Sequence, residues 1–296
     1  MSDACYYFDS PTHGALTYRV WPAAQPTSRA SLIFLHGWGD HAGRYAELAR
    51  LLAQRGVTCW APDFAGHGRS PGARARVHDF DALCDDLHAF VQQVQPRAPL
   101  FLCGHSMGGC LAAHYALRHP AQLAGVIFNS AALGVSPRVS RLRRELSLRL
   151  GAVLPSLPLG QLKRPEHMAR SAAAQDAYRA DPLVHHGAID AGTGRALSLA
   201  LHWLAQNAQH FRHPFLALQG GADELVAPEA VHALRRAAPH DASVVMYPEA
   251  RHDLQLELGV PVLADAIYAW LSARVEARSA REQNMERPKS AQPQAL

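Results

Sequence analysis

The sequence predicts an α/β protein: a mostly parallel sheet with helices on both faces, interrupted late in the chain by a helical insertion. Three observations predict it. Short apolar runs recur at 31–35, 57–61, 100–103, 126–128, 215–218 and 244–247, and segments with helical spacing lie between them, which is the rhythm of βαβ units. Several of these runs stop abruptly in glycine-rich loops, at Gly37 and Gly39, at Gly66 and Gly68, and at Gly104, Gly108 and Gly109. Between 131 and 209 the rhythm lapses into a stretch rich in Leu, Arg, Ala and Pro with no obvious strand. An insertion of that length in an otherwise regular sheet is usually functional.

Taken in order, 6–8 and 16–20 read as short strands around the turn-prone Pro11-Thr12-His13-Gly14, an antiparallel edge. The run 31–35 ends in His36-Gly37-Trp38-Gly39-Asp40-His41, after which Tyr45, Leu48, Leu51 and Leu52 fall at helical spacing. The strand at 57–61 is closed by Pro62-Asp63 and Gly66-His67-Gly68-Arg69-Ser70, and a helix follows over about 80–94. In the insertion, Leu142, Leu146, Leu150 and Val153 share a helical spacing while Arg138, Arg141, Arg143, Arg144 and Arg149 take other positions. Two readings stay open for that helix: apolar side down on the domain with a solvated basic face, or a lid whose apolar side meets lipid and whose arginines meet anionic head groups. A last strand (244–247) and a final amphipathic helix (260–275) complete the pattern. The expected organisation is a core of 1–130 and 210–277, a cap of 131–209, and a polar tail of 278–296 expected to be disordered.

With 296 residues the chain has room for one large domain or two small ones, and composition does not choose between them. An apolar fraction of 48% and a charged fraction of 18% are those of an ordinary soluble protein. A formal charge of +4, dispersed along the chain, argues against a nucleic-acid partner. The N-terminus lacks a basic start followed by an apolar run, so no secretory signal is expected. No apolar stretch approaches the roughly 18–20 residues of a membrane span. Five scattered cysteines without Cys-x-x-Cys spacing point to a reduced, cytoplasmic setting, with Cys103 and Cys110 as small buried fillers.

The chemistry centres on Gly104-His105-Ser106-Met107-Gly108, where an apolar run meets a helix-forming segment, 111–117. Gly-x-Ser-x-Gly in that setting is the nucleophile turn of α/β-hydrolases. A serine hydroxyl that attacks a carbonyl must stand clear of the backbone at a sharp strand-to-helix turn, which tolerates no Cβ at the flanking positions. The following helix presents free N–H groups to the reacting oxygen.

A serine needs a base within reach, oriented in turn by an acid. In this fold they follow in the order serine, acid, histidine. Asp223 lies after the strand at 215–218 and His252 after the strand at 244–247. Both loops therefore open on the same edge of a parallel sheet as Ser106. Competitors are Glu224 and Asp253 beside them; Asp63, which precedes the serine and reads as the organiser of its own turn; His105, a packed neighbour; and His36, His41 and His67, loop-ordering residues. The expected oxyanion donors are the backbone N–H groups of Trp38 and Met107.

Together these motifs resemble the serine hydrolases that include monoacylglycerol lipases and bacterial lysophospholipases, sometimes grouped with serine aminopeptidases. The matching pieces are 36–41 with Gly43-Arg44-Tyr45, Asp63 to Ser70, 104–109, Asp181-Pro182-Leu183, and Leu218-Gln219-Gly220 leading to Asp223. The resemblance implies an α/β-hydrolase fold with a helical cap over 131–209, a triad of Ser106, Asp223 and His252, and a carboxylic ester of the monoacyl lipid type as substrate. It implies no metal or organic cofactor. Trp38 stands where many members carry a smaller residue, which bears on the width of the pocket beside it. Small soluble esters, amides or peptides, and a non-catalytic ligand-binding role are the alternatives.

Overall fold

The computed structural model describes residues 4–135, 141–238 and 241–286. Its strands are β1 (Tyr6–Ser10), β2 (Gly14–Trp21), β3 (Ala30–Leu35), β4 (Val57–Pro62), β5 (Leu100–His105), β6 (Gly125–Asn129), β7 (Pro158–Gln161), β8 (Ala188–Asp190), β9 (Phe215–Gly220) and β10 (Ala242–Tyr247). The helices are α1 (Ala46–Gln54), α2 (Phe80–Val94), α3 (Met107–Arg118), α4 (Arg141–Val153), α5 (Pro165–Met168), α6 (Ala172–Ala180), α7 (Ala191–Asn207), α8 (Ala230–Ala237), α9 (Leu254–Leu258) and α10 (Val260–Glu286).

Eight strands form one sheet in the order β1-β2-β4-β3-β5-β6-β9-β10. The pairings from β4 onward across the sheet are parallel, and β1 and β2 form the antiparallel edge that the Pro11–Gly14 turn implied. The apolar runs are continuous because both faces are covered. Ile33, Leu35, Leu100 and Leu102 enter one core with Leu87 and Phe90 of α2 and Leu111 and Tyr115 of α3. Leu32, Phe34, Phe101 and Cys103 enter the other with Leu48 and Leu52 of α1 and Ile267 and Trp270 of α10. Cys103 and Cys110 are free and buried, and burial pushes the Cys103 thiol up to about 12, so neither position supplies a thiolate.

Since β3, β5, β9 and β10 run in parallel, the loops after them gather at one edge of the sheet. These are the loops that carry Trp38, Ser106, Asp223 and His252.

Three local features differ from expectation. The insertion holds a short antiparallel pair, β7 with β8, which Gly160 and Pro158 hide from a propensity reading. Helix α4, for which the sequence leaves two readings open, turns only part of its apolar spacing inward: Leu148 and Leu150 are half-buried. Leu142, Leu146 and Val153 are 69%, 44% and 74% exposed, while the buried Ser147 and the small Gly151 face Gly194 and Ala191 of α7. Small residues let the two backbones approach, and those three bulky side chains turn outward. Arg138 and the Arg143 side chain lie outside the described residues. Finally, α10 runs past the expected 275 to Glu286, because 276–286 contains good helix formers and no proline. Of the segment expected as a tail, 287–296 lies outside the described residues.

The edge hairpin is anchored by a buried charge. Asp86 of α2 is fully buried and accepts hydrogen bonds from Ser10 Oγ, Thr12 Oγ1 (2.7 Å) and His13 Nδ1 (2.7 Å). Asp86→Ala is expected to lower unfolding free energy by about 3 kcal/mol, on the scale of lost hydrogen bonds to a charged group. Urea denaturation checks it; a loss below about 0.5 kcal/mol would show that the hairpin is held by its apolar contacts alone.

Candidate active site

Ser106 joins β5 to α3 with φ 52° and ψ −120°, a left-handed region that a non-glycine residue enters only under strain. The surroundings leave it no alternative. A Cβ on Gly104 would lie 2.2 Å from the Gly108 carbonyl oxygen, and one on Gly108 would lie 2.1 Å from that of Leu35. The backbone is pinned on both sides: Ser106 N donates to Asn129 O and Ser130 O, and Ser106 O accepts from Gly109 N (2.9 Å) and Ala132 N (2.9 Å). The hydroxyl is left at a partly exposed turn beside an N–H-rich helix start.

Asp223 and His252 meet across 29 residues. His252 Nδ1 donates to Asp223 Oδ2 at 2.7 Å, and both side chains are buried. Burial alone would push the Asp223 carboxyl up, but the His252 ring and the N–H groups of Leu225 (2.8 Å) and Val226 (3.1 Å) hold it below the usual carboxylate range. A carboxylate only accepts, so the histidine proton sits on Nδ1 and Nε2 carries the lone pair. That Nε2 is buried and has no hydrogen-bond partner among the described residues, so the link to the serine hydroxyl is not made in this conformation. Such bonds are commonly loose in ligand-free sites and tighten with substrate. The His252 ring packs 4.7 Å from that of His105, the residue before Ser106. Burial, then His252, lowers the His105 pKa to about 4, so it is a neutral neighbour bonded to Asn129 O.

The loop after β3 lies against the serine: a Cβ on Gly37 would sit 3.2 Å from Ser106 Cβ. Trp38 is buried, its indole Nε1 donating to Ala75 O at 2.7 Å, which fixes the side chain away from the backbone N–H. Neither the Trp38 nor the Met107 backbone N–H has a hydrogen-bond acceptor among the described residues. His36 Nδ1 donates to Gly37 O (2.8 Å) and its Nε2 accepts from Phe64 N (3.1 Å); burial lowers its pKa to about 4. It orders the loop as a neutral ring.

The other candidates also have defined places. Asp63 accepts from Ala42 N, Arg69 N and Thr17 Oγ1, organising the loops around it. His67 bonds Ala65 O, and His41 Nε2 pairs with Asp181 Oδ2 at 2.9 Å. Glu224 lies 3.8 Å from His167 of the cap, not on His252. Among the described residues, no group of three or more His, Cys, Asp or Glu is placed to hold a metal ion.

Three relationships escape sequence reasoning. Gln219 Nε2 donates to Asp223 Oδ2 (3.2 Å), a second donor on the oxygen that His252 holds. Arg44 bridges Asp40 (3.0 Å) and Asp253 (2.5 Å) in a nearly buried triad, tying the Trp38 loop to the His252 loop. The cap is bonded to both loops, with His185 N on Gly39 O (2.8 Å) and Asp253 N on Met168 O (2.9 Å). The spacing from Asp40 to Arg44 would have suggested the local pair; the partner 209 residues away left no signal.

Comparison with known proteins follows the same lines. The family described as serine aminopeptidase, S33, matches residues 26–259. The monoglyceride lipase of Rattus norvegicus is 33% identical over 273 residues, covering 89% of this chain and 88% of that protein. The monoacylglycerol lipase of Mycolicibacterium smegmatis is 30% identical over 261 residues, covering 86% and 92%. The crystal structure of the Paleococcus ferrophilus monoacylglycerol lipase superposes with a TM-score of 0.80 at 28% identity, over 88% of this chain and 99% of that one.

Arg44→Met would leave two buried carboxylates unpaired, with an expected loss of about 3–5 kcal/mol measured by urea denaturation. The carboxyls of Asp40 and Asp253 are held low: burial alone would raise them, and Arg44 outweighs it. Their folded values lie below the unfolded value near 3.9, so their stabilisation is complete above that pH and disappears as pH falls through the folded values. The variant is accordingly expected to unfold at a higher pH than the wild type in an acid titration followed by circular dichroism. An unchanged midpoint in both experiments would remove the triad from the account of stability.

Proposed function

We propose, from the premise that the chain belongs to the serine aminopeptidase S33 family, that it is a serine hydrolase of carboxylic esters, of the monoacylglycerol or lysophospholipid type. The observation that carries this is a strained serine at a strand-to-helix turn whose chain neighbour, His105, packs on a histidine with its Nδ1 committed to a buried carboxylate at 2.7 Å. The lipase names of the relatives support the ester class.

In the proposed mechanism Ser106 Oγ attacks the ester carbonyl while His252 Nε2 takes its proton. Asp223 holds the ring and stabilises the imidazolium. The N–H groups of Trp38 and Met107 receive the developing oxyanion, each donor contributing about 2.7–4 kcal/mol of barrier lowering. The imidazolium then protonates the departing alcohol, and water repeats the sequence on the acyl-enzyme.

Amide or peptide cleavage is the second reading, favoured by the family description. An aminopeptidase needs a carboxylate for the α-ammonium of its substrate. Asp40 and Asp253 are already paired with Arg44, and Asp181 with His41, so the ester is the better fit.

Peripheral membrane contact belongs to the same proposal. The outward Leu142, Leu146, Val153 and Leu154 share α4 and its end with the exposed Arg141, Arg144 and Arg149, an arrangement suited to an anionic lipid surface. No described helix is long and apolar enough to cross a membrane. A cytoplasmic setting is proposed as well, supported by five free cysteines.

Ser106→Ala is expected to lower turnover by about 10⁶-fold and to abolish labelling by a fluorophosphonate probe. Retention of more than a few per cent of ester hydrolysis would reject Ser106 as nucleophile. Leu142→Asp combined with Leu146→Asp is expected to reduce co-sedimentation with anionic vesicles at low salt. Equal binding by variant and wild type would remove the cap from membrane contact.

A further inference from the structure

Lys163 follows β7 in the cap and is only 8% exposed. Its ammonium lies over two rings, 5.5 Å from the centroid of Trp38 and 5.8 Å from that of Tyr178. It also closes on the oxyanion loop, since a Cβ on Gly39 would sit 3.4 Å from Nζ. Gly39 is two residues from Gly37, which touches Ser106, so at most about 7.6 Å separates the two Cα atoms.

A buried ammonium normally sits on a carboxylate. Lys163 makes no hydrogen bond or ion pair with any described residue. The nearby carboxylates are already served. Asp40 Oδ1 accepts from His41 N and Oδ2 from Arg44; Asp253 Oδ1 accepts from Gln255 N and Leu256 N and Oδ2 from Arg44. Tyr178 adds a second unserved donor, a buried hydroxyl with no partner among the described residues. Burial pushes the lysine down to about 8, with Asp40 opposing, so it remains mostly protonated at neutral pH.

We propose that Lys163 is a specificity-determining residue that binds a phosphate on the alcohol portion of the substrate, selecting phosphorylated monoacyl glycerides over neutral ones. The inference rests on the ester-hydrolase reading. A cationic donor without an acceptor among the described residues, set against the oxyanion loop, fits an anionic, acceptor-only ligand better than a glycerol hydroxyl. Lys163 and Ser106 touch the same short loop two residues apart, at Gly39 and at Gly37, which puts the ammonium on the side where the alcohol portion of an ester attacked by Ser106 would lie. Trp38 and Tyr178 stabilise the cation through their ring faces until the substrate arrives.

The test compares kcat/KM for 1-octanoylglycerol 3-phosphate and 1-octanoylglycerol. Wild type is expected to prefer the phosphate ester. Lys163→Met is expected to lower the ratio of the two values by about 10- to 100-fold, and Lys163→Arg to restore most of it. In the wild type alone, glycerol 3-phosphate is expected to inhibit hydrolysis of p-nitrophenyl butyrate at lower concentration than glycerol, which needs no variant to fold. A ratio unmoved within threefold by Lys163→Met, or equal inhibition by the two alcohols, overturns the assignment while leaving the hydrolase intact. Failure of the wild type to cleave any of the three esters overturns the hydrolase reading and this inference with it.

Discussion

One buried guanidinium holds the site edge together. Arg44 sits between Asp40, two residues after Trp38, and Asp253, the residue after His252. Two loops that belong to strands on opposite sides of β5 are thereby held at a fixed separation, with Ser106 directly after the end of β5 between them. A buried ion triad is not by itself a strong source of net stability, because desolvation offsets much of the Coulomb gain. Its geometric value is greater: both carboxylates have all their oxygens occupied, so neither loop can drift without exposing a buried charge.

The cap rests on that frame. Its contacts to the sheet edge that carries Ser106 include backbone atoms and short polar pairs, His185 N to Gly39 O, Asp253 N to Met168 O and His41 to Asp181. Helices α4 and α7 meet through small residues, and Leu142, Leu146 and Val153 of α4 face outward. One element therefore serves two environments, polar toward the loops that carry Trp38 and His252 and apolar toward the outside. The lysine after β7 belongs to the inward side, where it joins Trp38 and Tyr178 in a common wall.

Much of this was legible before any coordinates. Chain order and strand-end placement pointed to Ser106, Asp223 and His252 ahead of same-type neighbours such as Asp253 and His105, because parallel strands send their C-terminal loops to one edge. Gly104 and Gly108 could be read for a similar reason, since a turn tight enough to expose a serine forbids side chains beside it. The helix at 80–94 was visible in its periodicity. Less could be read in the insertion: a four-residue strand containing proline and glycine has no propensity signal, and leucine spacing gives a helix face without saying which way it turns.

Sequence by itself determined the elements whose cause is local or periodic: the covered strands, the strained turn at Ser106, the amphipathic helices and the chain order of Ser106, Asp223 and His252. Tertiary structure alone decided the pairing of Arg44 with Asp253, the support of Asp223 by Gln219, the outward turn of Leu142, Leu146 and Val153, and the burial of Lys163 against Trp38 and Tyr178. Each of these depends on which surfaces meet after folding, on distances between groups far apart in the chain and on the loss of water around them. No spacing along a sequence encodes that, because the energy of a buried charge is set by whatever neighbours the finished fold provides.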